Sequence, residues 1–135
     1  MTAPWVSAYV GIPYLFAGRD RSGCDCWGLV RLVLSERFGI VLPSFGEDYD
    51  SGDPQALAEL VSDALPLVGV DRVNPAREGD IVLLKLFGKS CHVGLVVGGP
   101  GERNLLHTLN GHDSAIDYYD GSRWVKRTEG FYRVR

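Results

Sequence analysis

Asp25-Cys26-Trp27-Gly28-Leu29-Val30-Arg31-Leu32-Val33-Leu34-Ser35-Glu36-Arg37-Phe38-Gly39 is the stretch from which the rest of the chain can be placed. A polar loop gives way at Cys26 to a run in which Leu29, Val30, Leu32, Val33, Leu34 and Phe38 cover more than one face of a helix. Gly39 stands where a C-terminal cap belongs. The spacing predicts a central, largely buried helix over 26–38. Its first residue is a cysteine. A thiol there meets the unpaired backbone N–H groups and the positive end of the helix dipole, which favours thiolate over thiol.

Upstream, residues 3–10 suit a short helix with Pro4 in its first turn, ended by Gly11-Ile12-Pro13, and 14–25 is expected to be loop. Downstream, after a loop from Pro43 to Gly52, Asp53-Pro54 supplies an N-cap and a first-turn proline. Leu57, Leu60, Val61 and Leu65 then recur at helical spacing, so a second, amphipathic helix should run to Pro66. Beyond it the period changes to two. Strands are expected at Ile81–Phe87, Cys91–Val97, Leu105–Leu109, Ala115–Tyr119 and Phe131–Val134, separated by glycine-containing turns as in an antiparallel meander. Helices early and strands late make an α+β fold, and residues 1–135 are expected to form a single domain.

The chain has 135 residues and is 45% hydrophobic, enough to fill one core. A formal charge of −3 leaves no basic footprint for nucleic acid, although Arg19, Arg21, Arg123, Lys126 and Arg127 are locally basic. No segment is long and apolar enough for membrane insertion, and the N-terminus lacks the basic region and apolar core of a signal peptide. The expectation is a protein made in the cytoplasm. Three cysteines are an odd number in a domain of this size, so free thiols are expected rather than a disulfide framework.

Alternation along Cys91–Val97 places His92, Gly94 and Val96 on one face and Cys91, Val93, Leu95 and Val97 on the other. Cys91 is then expected in the core and His92 outside it. His107 shares its face with Leu105 and Leu109, and His112 follows an Asn110-Gly111 turn signal. A cysteine at a helix start with two histidines in strands has the parts of a thiol nucleophile with a base and an orienter. A competing reading joins Cys24, Cys26, Cys91 and His92 as zinc ligands, but the Cys24-X-Cys26 gap is short and Cys91 and His92 diverge. Cys24-X-Cys26 is likewise a poor redox pair. Carboxylates are scattered, and Gly98-Gly99-Pro100-Gly101 lacks the lysine of a phosphate loop. No metal or cofactor is expected.

The order Gly11-Ile12-Pro13-Tyr14, Gly18, Asp25-Cys26-Trp27-Gly28-Leu29-Val30, Gly79-Asp80-Ile81-Val82, His92-Val93-Gly94 and His107 resembles the NlpC/P60 family of papain-like cysteine peptidases, in the form found in phage tails and gene transfer agents. That resemblance implies a cysteine-bearing central helix packed on an antiparallel sheet. It implies a peptidoglycan endopeptidase cutting stem peptides, typically between the D-glutamyl residue and the diamino acid. In it Cys26 would attack, His92 act as base and His107 fix the His92 ring. Tyr14 would assist the Cys26 N–H in holding the oxyanion. Asp25, Trp27 and Gly94 are the expected substrate contacts, with Trp27 standing where cellular members usually carry serine. The implied partners are stem peptides and the hub or baseplate proteins of a phage-like tail that would carry the enzyme to the wall. A rival reading keeps the fold as an inert structural tail component.

Overall fold

A computed structural model describes residues 4–45, 59, 61, 63, 65–86, 88–99 and 101–135. Helix α1 spans Cys26–Phe38, as the apolar run requires. Its start is fixed by Asp25, whose carboxylate accepts the Gly28 N–H at 2.8 Å. Its end is Gly39, whose positive φ of 67° lets its N–H turn back to the Leu34 carbonyl. Pro4–Tyr9 form a 3₁₀ helix. Asp53, Pro54, Leu57 and Leu60 of the expected second helix lie outside the described residues. Of the remainder, Val61 is buried and Leu65 begins a short 3₁₀ turn to Val68.

The expected loop before α1 contains two short strands, β1 (Arg19–Asp20) and β2 (Gly23–Cys24), paired with each other. The main sheet comprises β3 (Val70–Val73), β4 (Ile81–Leu86), β5 (Lys89–Val97), β6 (Asn104–His107), β7 (Ala115–Tyr118) and β8 (Thr128–Val134). Its order is β3-β8-β4-β5-β6-β7, every neighbouring pair antiparallel. Strands β4 to β7 form the expected meander, and β8 returns to the free edge of β4. Strand β3 was not expected, because Val70-Asp71-Arg72-Val73 is short and has charges at its centre. Its pairing with β8 forms it. The return of β8 is locked where Arg133 donates two 2.8 Å bonds to buried Asp80.

Both sheet faces are covered. Leu83, Val93, Leu95, Val97 and Leu106 pack toward the α1 residues Trp27, Leu29, Val30 and Val33. Val82, Leu84, Val96 and Leu105 lie on the opposite face, in a smaller core closed by Trp124. Trp124 comes from the turn between β7 and β8, where Thr128 Oγ1 donates to the Trp124 carbonyl at 3.0 Å. A one-sided sheet would leave this second face wet. Here it holds the histidines.

Candidate active site

Three segments bring the cysteine to its place. The Gly11 N–H donates to the Ser114 carbonyl and the Ile12 N–H to Ser114 Oγ, each at 2.8 Å, which staples the N-terminal segment to the start of β7. Tyr14 then bridges to Cys24, two residues before the helix. Asp25, fully buried, accepts from the Gly28 N–H, from the Ala17 N–H at 2.9 Å and from Arg19 Nη1 at 2.8 Å. Gly28 is required at the first turn, since a Cβ there would sit 2.0 Å from the Gly18 carbonyl oxygen. Loop and helix start are thus one rigid unit.

The Cys26 sulfur lies beside the backbone N–H groups of Val93 and Trp27, both of which favour its anion. Val93 immediately follows His92. The β5–β6 pairing stops at Leu95 and Leu106, so the helix start meets β5 where the ladder has ended. His92, opposite Leu84 in the β4–β5 register, stacks on Trp124 with ring centroids 5.9 Å apart. Its Nε2 lies 2.9 Å from Nδ1 of His107. His107 Nε2 lies 2.8 Å from Asp117 Oδ2, and the same oxygen accepts the Trp124 indole N–H at 3.2 Å. Trp124 meets His107 edge-on at 4.9 Å.

Several expectations are corrected. His92 is 2% exposed, not outward, and Cys91 is the half-buried one. The alternation itself holds, but the second face is a core under Trp124. A register shift beside Leu84 and Lys85 also breaks the strand next to Cys91. The base candidate therefore sits on the sheet face away from the α1 core, one residue along β5 from Val93. The thiolate expectation also fails. Burial first, then the Asp25 carboxylate, pushes the Cys26 thiol up to about 12, against the two N–H groups that favour the anion. Burial, then His107, lowers His92 to about 3. These shifts, with the lowering of His107 by its burial, all favour the uncharged forms.

The three expected substrate contacts have partners within the fold. Asp25 is consumed by the cap and by Arg19. Trp27 is fully buried, its indole N–H donating to the Pro43 carbonyl at 2.9 Å and its ring against Phe45. Gly94 is buried, and a Cβ there would lie 2.4 Å from Leu105 Cδ1. Tyr14 is partly buried near the thiol. Burial, followed by the charges Cys26 and Asp25 would carry, raises its phenol well above the ordinary value, leaving it a donor. Cys24 is buried, its sulfur 3.0 Å from the Asp20 carbonyl, and burial pushes it up to about 12. Among the described residues no three His, Cys, Asp or Glu side chains form a metal-holding group, so Cys24, Cys26, Cys91 and His92 do not converge as zinc ligands. His112 is exposed in its turn.

Asp117 and Trp124 are the site neighbours that sequence reasoning missed. Asp117 lies in the expected strand, but only the β6–β7 register, His107 opposite Ala115, sets it against His107. Trp124 belongs to no strand and left no periodic signal.

A cysteine at the start of a buried helix, set against a strand carrying a histidine relay, is the arrangement of a papain-like thiol hydrolase. The NlpC/P60 family model matches residues 11–133, and the chain belongs to that family. Among curated relatives, it is 26% identical over 125 residues to the murein DD-endopeptidase MepS/murein LD-carboxypeptidase of Escherichia coli K12. It is 31% identical over 113 residues to the tail tip assembly protein K of Escherichia phage N15, and 27% identical over 128 residues to a gamma-DL-glutamyl hydrolase of Bacillus subtilis. These alignments take in 92%, 82% and 93% of the chain but only 56%, 45% and 27% of the relatives' lengths. In fold it matches the NlpC/p60 domain of the peptidoglycan hydrolase SagA with a TM-score of 0.60 at 22% identity, covering 96% of this chain and 95% of that one. An NLP/P60-family protein of Staphylococcus aureus gives 0.64 at 22% identity, over 96% of this chain and 39% of that one.

Proposed function

We propose that the protein is a cysteine peptidase that cleaves peptidoglycan stem peptides, at the bond between the D-glutamyl residue and the diamino acid. The observation that carries this reading is the placing of Cys26 at the start of α1 beside Val93, the neighbour of a buried His92 that bonds His107. Cys26 attacks the scissile carbonyl while His92 takes the thiol proton through Nδ1, the nitrogen not bonded to His107. The same proton then passes to the leaving amine. The Cys26 N–H and the Tyr14 hydroxyl hold the developing oxyanion. Because both groups are neutral at rest, proton transfer accompanies attack and does not precede it. The murein and glutamyl hydrolases among the relatives support a wall peptide as substrate. The phage N15 relative supports carriage on a phage-like tail, held by hub or baseplate proteins.

Digestion of purified sacculi of the diaminopimelate type, with mass analysis of the products, tests the activity. Wild type should release fragments with new amino termini and no new reducing ends, and Cys26→Ala should release none. A second reading, an inert structural tail component, is favoured by the assembly role in the name of the phage relative. Intact sacculi after exposure to wild type would establish it.

A further inference from the structure

We propose that Asp117 is a positioning residue of this site: clamped by the Trp124 indole, its carboxylate fixes the protons on two imidazoles in series and leaves Nδ1 of His92 as the free base. The inference rests on the thiol-hydrolase reading above and adds a residue to it. A neutral imidazole has one N–H and one lone pair, an ionised carboxylate only accepts, and an indole N–H only donates. The 2.8 Å contact between His107 Nε2 and Asp117 Oδ2 therefore carries its proton on His107. His107 Nδ1 is then a lone pair, so the 2.9 Å contact with His92 Nε2 carries its proton on His92. One nitrogen is left without a proton, His92 Nδ1. The reverse order would need an O–H on Asp117 Oδ2, but that oxygen already accepts the Trp124 N–H at 3.2 Å. The carboxylate is 40% exposed at its side chain, so water competes for it, whereas His107 is 3% exposed. Without Asp117, His107 has no fixed acceptor and either tautomer becomes open to both rings.

Long-range ¹H–¹⁵N imidazole spectra at neutral pH should show both His92 and His107 as Nε2–H tautomers in the wild type. In D117A the two rings should become tautomeric mixtures. In D117N they should stay as in wild type, because the amide oxygen can accept the same two N–H groups. On muropeptide substrate, D117A should lower kcat about ten- to a hundredfold, part of the roughly 10²–10⁴ that a general base supplies, with KM little changed. D117N should recover most of it. Adding W124F to D117N removes the donor that orients the amide, so the double variant should lose more than the product of the two single losses. Unchanged tautomers in D117A, or equal losses in D117A and D117N, would overturn the role of Asp117. Should D117A not fold, the D117N and D117N/W124F pair still decides it. An inert wild type would overturn the hydrolase reading instead, and the spectra would still report on Asp117.

Discussion

The resting chemistry of Cys26 is set by two opposed effects. The helix start and two N–H groups favour the anion, yet full burial and the neighbouring Asp25 outweigh them, so the thiol is neutral near pH 7. The sign follows directly. With the thiol raised to about 12, the thiolate fraction should grow tenfold per pH unit through neutrality. Alkylation of Cys26 by iodoacetamide should therefore accelerate tenfold per unit from about pH 6 to 9 without levelling. A plateau beginning below pH 7 would reveal a standing thiolate–imidazolium pair. From sequence the cysteine could be placed at a helix start, because that depends on local spacing. Its desolvation could not, because it depends on what β5 and the loop before the helix bring to the same point.

At the scale of elements, α1 is held less by its own propensity than by what grips its first turn. Asp25 is wholly buried and satisfied by two backbone N–H groups and Arg19, whose side chain is 13% exposed. Removing it takes this carboxylate away from a nearly buried guanidinium that also bonds the Ser44 and Gly18 carbonyls, and leaves the Gly28 N–H uncapped. Asp25→Ala should therefore cost about 3–5 kcal/mol of stability, read from urea unfolding. A loss below about 1 kcal/mol, the size of a surface pair, would show that this network does not hold the helix start. The helix was plain in the sequence because Leu29 to Phe38 repeat the helical period. Strand β3 was not, since Asp71 and Arg72 suit a strand only when β8 lies beside them. The histidine face was misjudged for a related reason: alternation separates two faces but does not say that both are covered.

Across the whole molecule, the two layers divide the labour. The α1 face of the sheet packs on the helix that begins with the thiol, and the Trp124 face shelters the imidazoles. The order of glycines, Cys26, Asp80, His92 and His107 disclosed the family because those residues fix turns, the helix start and the strand register. Asp117 and Trp124 depend on long-range pairing and on an irregular turn, which no local pattern announces. Because the thiol is 4% exposed, its loss should leave the outer surface of the protein unchanged, and with it any docking on a tail. On the proposed tail carriage, particles carrying Cys26→Ala should then form in normal number, counted by electron microscopy. Their DNA delivery to walled cells should fall, while delivery to spheroplasts, which lack the barrier, should match that of wild-type particles. Full delivery to walled cells by the variant would show that wall penetration does not use this thiol. A shortage of particles would show that Cys26 serves assembly.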